Sequence, residues 1–430
     1  MKPILIRGGH LIDPGAHIDA PRDLLLADGR VAAIDTPGKI KHPDAEIIDA
    51  KNLVVAPGLV DIHVHLREPG QGYKETIATG AAAAAAGGFT TVCAMPNTVP
   101  VNDSPETTRW MQSPDRGAAI RVFPIAAATR GSIGEALTEY AALKAAGAVA
   151  VTDDGKPILG DAIMRQVLIA ASRVNLPVIQ HAEDTRLTGG CSMNAGPLAF
   201  RLGLRGMPIE AESGLVERDI RLVAELKDIR PHLHVAHLST RAALDAVRRA
   251  RRNGLRVTCE VTPHHFALNE EAVANYNTHA KMNPPLRAEL DREAMIEGVI
   301  DGSIDCIATD HAPHAAHEKE QEFERAPNGI TGLESALGLS IAVLHVKHKL
   351  PLSRAIALLS TQPANVLNLK GRGTLAVGSA ADVVIFDPAK QWVFNASKSK
   401  SKSKNTPFDG WTLQGKTVVT ISEARLVFRA

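Results

Sequence analysis

LVDIHVHLREPG, residues 59–70, is the stretch on which the reading of the fold turns. Leu59 to Ile62 read as a buried strand, and because strand side chains alternate, His63 and His65 leave it on one face, within reach of a single metal ion. A helical stretch through the alanine run 81–86 follows, then a second strand, FTTVCAMPN at 89–97. The pattern continues through IRVFPIAA (120–127), a helix from Ser132, AVAVTDDG (148–155), LPVIQHAE (176–183), HLHVAHLS (232–239), LRVTCEVTP (255–263) and IDCIATDHAP (304–313). About eight strand–helix alternations predict an α/β chain built as a (β/α)8 TIM-like barrel rather than an open sheet. Chemistry then belongs at the C-terminal ends of the strands.

On either side of this region the texture changes. PILIRGGHLID (3–13), DLLLADGRVAAID (23–35) and AEIIDAKNLVVAPG (45–58) are short strands punctuated by Gly, Asp and Pro, and read as an antiparallel unit. GSAADVVIFDP (378–388), KQWVFN (390–395) and KTVVTISEARLVFRA (416–430) repeat that texture. Residues 1–56 and 368–430 are therefore expected to complete one small β-sandwich, with the barrel inserted at 57–367. The alanine run is read as a close-packing helix ended by Gly87-Gly88, and the SKSKSKSK run at 397–404 as a solvated loop without a partner.

With 430 residues, 45% hydrophobic content and a formal charge of +1, the chain can bury a large core and carries no basic field for nucleic acid or an anionic membrane. Its expected partner is a small molecule. Cys93, Cys191, Cys259 and Cys306 are dispersed, which suits reduced thiols in the cytoplasm, and neither a secretory leader nor a membrane span is expected.

The strand ends bring further groups: Asp153-Asp154-Gly155, His181, His237 and Asp310. Individually the Asp pair also reads as a turn, His237 as a partner of Ser239, and Asp310 as a helix cap. Together with His63 and His65 they make metal-ligating groups coincide at five strand ends.

HLREPG (65–70) with the preceding His63, MPNT (95–98), TDDG (152–155), HAED (181–184), HLST (237–240), KMNPPLR (281–287) and TDHAPH (309–314) resemble the motifs of the class I dihydroorotases, in family order. GSAADVVIFDP and TPFDGW near the end are similar too, so the resemblance covers essentially the whole chain. It implies a cytoplasmic, zinc-dependent enzyme that interconverts N-carbamoyl-L-aspartate and L-dihydroorotate in pyrimidine biosynthesis, with one or two Zn2+ per subunit. The implied metal ligands are His63, His65, Asp154, His181, His237 and Asp310. Asp154 is preferred to Asp153 because it directly precedes the turn glycine, where the wider superfamily places a metal-bridging carbamylated lysine; no lysine stands there in this chain. Opening a cyclic amide requires a strong nucleophile and a polarised carbonyl, which such a metal supplies, with Asp310 as the catalytic proton shuttle.

The resemblance also implies substrate contacts at His65, Arg67, Asn97, Asn283, His314, Asn328 and Gly329. A guanidinium fork at Arg67 and an amide at Asn97 suit a carboxylate, although Arg67 also reads as a partner of Glu68, and Asn97 as a turn residue. The polar stretch 315–332 is expected to order over substrate, and Asn328 stands where relatives usually have an aromatic. His264 and His265 are expected to support the site from behind, and His345 and His348 to lie on a periodic helix as surface or interface residues. A homodimer and an association with aspartate transcarbamoylase are both compatible with the resemblance. Rival readings are another cyclic amidohydrolase (dihydropyrimidinase, hydantoinase or allantoinase) and a non-catalytic partner of aspartate transcarbamoylase.

Overall fold

Apolar strands buried on both faces need helices around them, and the barrel meets that need. The computed structural model describes residues 2–430. The barrel strands are Leu59–Val64, Phe89–Ala94, Arg121–Pro124 continued by Ala126–Ala127, Val151–Thr152, Val178–Gln180, Leu233–Val235, Val257–Val261 and Cys306–Ile307. Neighbours pair in parallel, with registers such as Val92↔Val122, Val151↔Val178 and Val235↔Cys259. The ring closes where Val64 bridges His311 and His65 N donates to His311 O at 2.9 Å. The Asp61 carboxylate spans the same seam, accepting from Thr309 N at 3.1 Å. The fold is thus the expected (β/α)8 barrel.

Strands from the two chain ends form a single eight-stranded sheet. Ile4–Asp13 pairs antiparallel with Ile18–Ala27, and Val54–Pro57 pairs antiparallel with Val383–Phe386. The sheet is mixed rather than purely antiparallel, because Ile4–Asp13 runs parallel to Glu46–Asp49 and to Val54–Pro57 on its other side. A bridge between Arg30 and Ala380 folds the sheet over, and Ile6, Leu24, Leu26, Val55, Val383, Ile385 and Ile421 share the resulting core. This is the small sandwich.

Two local expectations are corrected. No helix starts at Ser132: Arg130–Ser132 is one 3-10 turn, and the helix is Tyr140–Ala145. Gly131 and Gly134 take positive φ, and Thr129 pairs with Leu137 in a small hairpin that occupies the intervening chain. Nor is the Ser-Lys run a solvated loop. Ser401 and Ser403 are buried against the barrel rim while Lys398, Lys400 and Lys402 point outward, a period-two alternation that lets one face dock.

The alanine-rich helix, Ile77–Gly87, starts in a capping box between Thr76 and Thr79 and stops at Gly88, whose φ is 94°. Gly87 is there for space as well, since a Cβ on it would lie 2.1 Å from the carbonyl oxygen of Leu333. Gly87→Ala is expected to lower stability by about 1–3 kcal/mol through overpacking, read as a lowered midpoint in denaturant unfolding. An unchanged midpoint would show that the helix and the Leu333 segment can part freely.

Candidate metal centre and substrate pocket

Each strand end that carried a candidate residue opens onto one rim. His63 and His65 leave the first strand, Asp154 follows the fourth, His181 the fifth, His237 the sixth and Asp310 the eighth. All six are buried. His63 Nε2 lies 3.5 Å from both Asp154 Oδ1 and Asp310 Oδ1, and His65 Nε2 lies 3.0 Å from Asp310 Oδ1 and 3.6 Å from Asp154 Oδ2. On the far side of Asp154, His181 Nδ1 is 3.6 Å from Oδ1 and 3.0 Å from His237 Nε2. Asp154 is therefore common to two trios, one with His63 and His65, the other with His181 and His237. Asp153 points away, its carboxylate capping Thr129 N at 2.9 Å.

This cluster fits a cation. His63 Nε2 and Asp154 Oδ1 are buried without a hydrogen-bond partner, and such orphaned atoms are costly unless something binds them. Backbone strain concentrates here as well: His237 and Asp310 hold φ of 31° and 46°, left-handed values that a side chain tolerates only when its surroundings impose them.

Two carboxylates that the sequence did not single out orient the imidazoles from behind. Glu260, from the seventh strand, accepts from His63 Nδ1 at 2.7 Å and from His234 Nε2 at 3.1 Å. Glu183 lies 3.0 Å from His181 Nε2 and accepts from Asn283 Nδ2 at 2.8 Å. Holding one ring nitrogen this way turns the other toward the cluster. The signal for Glu260 was a charged residue within an apolar strand; Glu183 stood in the HAED motif itself.

The charges set the proton balance. Burial alone would push the His63 and His181 imidazoles down, but the surrounding carboxylates outweigh it, holding His63 well above its usual value and pushing His181 up to about 10. Burial would likewise raise Asp310, whereas His63 and His65 hold it down at about 2.

The cluster forms the floor of a cavity of about 300 Å³ whose wall includes Arg67, Asn97, Asn283, His314 and Asn328. Asn97 bridges floor and wall, its Oδ1 2.8 Å from His65 Nδ1 and its Nδ2 donating to Asp154 Oδ2 at 3.1 Å. Arg67 is buried and makes no ion pair with Glu68, whose carboxylate caps Ile77 N instead. Its Nε donates to Pro313 O at 3.1 Å and its Nη2 faces His314 Nε2 at 3.3 Å. Burial, then Arg67 and Lys74, push the His314 imidazole down to about 2, so it is neutral. Asn283 Oδ1 is buried without a partner.

The segment 315–332 is held by two buried ammonium groups: Lys281 Nζ donates to Phe323 O at 2.6 Å and Ala326 O at 2.7 Å, and Lys319 Nζ to Pro327 O at 2.8 Å. Gly329 packs on Ala312 at the cavity wall. Of the histidines set aside, His265 Nε2 lies 3.1 Å from Pro284 O, steadying the Asn283 segment, and His264 is buried nearby. His345 Nδ1 lies 2.7 Å from Leu350 O, far from the cavity in its contacts, and His348 is half-buried beside it.

A closed parallel barrel with imidazoles and carboxylates converging at its C-terminal rim defines an amidohydrolase, a metal-dependent class of hydrolase. Comparisons agree: a family described as Dihydro-orotase-like matches residues 52–243, and one described as Amidohydrolase family matches 299–427. The chain is 48% identical to the dihydroorotase of Solibacter usitatus over 97% of its own length and 96% of the relative's. It is 49% identical to that of Syntrophotalea carbinolica, covering 99% of both chains. The chain belongs to the dihydroorotase family. Among solved structures, the L-hydantoinase (dihydropyrimidinase) of Arthrobacter aurescens superposes with a TM-score of 0.88 over 100% of this chain and 96% of that one, at 23% identity, a likeness of fold.

Because metal must displace the protons held on His63 and His181, affinity of metal-free protein for an added divalent ion is expected to rise between pH 6 and pH 8, about tenfold per pH unit for each proton released. Chelator competition at several pH values measures this. A flat profile would mean that the imidazoles are already deprotonated in the ion-free cluster.

Proposed function

We infer that the chain is a zinc-dependent dihydroorotase that opens L-dihydroorotate to N-carbamoyl-L-aspartate and closes it again for pyrimidine biosynthesis. The observation that carries the substrate is Arg67: a buried guanidinium on the cavity wall with no carboxylate of the protein, among the described residues, as its ion-pair partner. A desolvated cation of this kind favours an anionic ligand, and its planar fork matches a carboxylate in two parallel bonds. Asn97 and neutral His314 stand beside it to complete the contact. Asn283 offers its unpartnered Oδ1 to a ring N–H, and Asn328 lines the same cavity with Gly329 next to it, packed on Ala312 and His314.

Zn2+ held by His63, His65, Asp154, His181, His237 and Asp310 would polarise the amide carbonyl and acidify water; the two trios sharing Asp154 support two ions. Asp310, ionised at neutral pH, takes a proton from the attacking water and delivers it to the departing ring nitrogen. In the synthetic direction it removes the proton from the carbamoyl nitrogen. Glu260 and Glu183 keep the imidazoles aimed through both steps. The carboxylate contact favours dihydroorotate over dihydrouracil and hydantoin, which lack that group.

Chelation is expected to abolish ring opening of dihydroorotate and added Zn2+ to restore it, with Asp310→Asn almost inactive while still binding substrate. Full turnover by rigorously metal-free protein would overturn the reading.

Arg67→Met is expected to lower kcat/KM for dihydroorotate by about 100-fold or more, the scale of losing a charge-assisted pair, and Arg67→Lys to recover little of it. Dihydrouracil turnover should change far less. Equal losses on both substrates, or a wild type that prefers dihydrouracil, would move the assignment to a dihydropyrimidinase.

A further inference from the structure

The Ser-Lys run, far from the catalytic motifs in sequence, crosses the barrel rim as a strap. Lys402 N donates to Glu75 Oε1 at 2.9 Å, Lys400 N to Glu334 Oε1 at 2.7 Å, and Ser403 Oγ to Lys74 O at 2.6 Å. Ser401 Oγ adds a bond to Glu75, whose carboxylate also faces His311 Nε2 at 3.4 Å. Anchored at these points, the strap delivers Asn405, 2% exposed, between two segments of the pocket wall.

Asn405 binds both. Its Oδ1 accepts from His314 N at 2.9 Å, and its Nδ2 donates to Ala312 O and Gly329 O, each at 2.9 Å. Its own carbonyl accepts from Thr331 N at 2.8 Å. The two segments touch closely: a Cβ on Gly329 would lie 2.5 Å from Ala312 O and 2.7 Å from His314 Cδ2. Both Nδ2 protons are used on backbone carbonyls, one from each segment; Gly329 O also accepts from Lys319 Nζ at 3.2 Å and Ala312 N donates to Ile330 O at 2.9 Å, so the amide completes the link between the two walls on the side of His314.

We propose that Asn405 is a positioning residue for substrate binding, clamping the Ala312–His314 and Asn328–Gly329 segments so that His314 stands at a fixed distance from Arg67 to receive the substrate carboxylate. Asn405 touches neither metal ligand nor cavity directly; it acts through His314 and Gly329. The inference rests on the dihydroorotase reading for its kinetic readout, but not for its structural one. Pre-setting a receptor lowers the ordering cost of binding, so loss of the clamp raises KM more than it lowers kcat.

Asn405→Asp keeps the volume and the acceptor but replaces both donors with a charged oxygen facing two carbonyls. In zinc-loaded enzyme it is expected to raise KM for dihydroorotate at least tenfold with kcat within threefold of wild type and zinc content unchanged, while Lys400→Ala matches wild type. Hydrogen–deuterium exchange at the amides of His314 and Thr331 should quicken in the same variant, whatever the substrate proves to be. Should Asn405→Asp not fold, Asn405→Ser, too short to reach both carbonyls, is read by the same two criteria. An unchanged KM with kcat reduced, or unchanged exchange at His314 and Thr331, overturns the proposal. Inactivity of wild type on dihydroorotate overturns the functional reading alone and leaves the exchange measurement to decide the clamp.

Discussion

Asp61 joins the two ends of the barrel sheet. It lies on the first strand, fully buried, and receives N–H groups from Thr309 beside the eighth strand and from His63 on its own. Burial pushes its carboxyl up to about 6, a measure of what desolvation costs even with those donors in place. The seam it helps close, together with the bond from His65 N to His311 O, puts His65 against Asp310, 245 positions later in the chain. An unclosed sheet would leave the candidate rim residues on separate edges, and no cation could gather them.

Charge is divided within the cavity. Its floor gathers imidazoles around Asp154 and Asp310, with Glu260 and Glu183 behind them, an excess of negative charge that matches a divalent cation. Its wall carries Arg67, with Lys74 paired to Glu318 at 2.9 Å just behind His314. An amide carbonyl directed at the floor and a carboxylate directed at the wall satisfy both ends of the cavity together. On the proposed reading, this separation would orient the substrate as well as bind it, and orientation is a large part of what an active site contributes.

The terminal sandwich reaches the pocket wall through the strap. From the end of the Val383–Val393 strand the chain crosses the rim before returning as Thr412–Ser422, and the crossing ties Ser401 and Ser403 to Glu75 and Lys74 and carries Asn405 into contact with segments that line the pocket. The expectation of a solvated basic loop weighed the lysines and overlooked the serines. With alternating side chains, a chain can expose one residue type and bury the other: Lys398, Lys400 and Lys402 face outward, the ammonium groups of Lys402 and Lys404 turn back to Gly72 O and Ser399 O, and the small hydroxyls of Ser401 and Ser403 bond a buried carboxylate and a carbonyl.

The sequence by itself determined the barrel and the terminal β-unit. Both follow from local periodicity: apolar strands of period two and helices of period 3.6, with polar groups placed where a strand must end. Motif resemblance singled out the six candidate rim residues, Arg67 with Asn97, and the substrate. Tertiary structure alone decided the rest. Asp154 rather than Asp153 faces the cluster because Thr129, just past the end of the neighbouring strand, claims the other carboxylate. Gly131 and Gly134 turn the chain where a helix was expected at Ser132. Glu260, Glu183 and Asn405 acquire their roles from partners 197, 100 and 91 positions away, as measured to His63, Asn283 and His314. A buried polar residue is defined by what it bonds to, and such partners come together only when the ring is closed and the strap is laid across it.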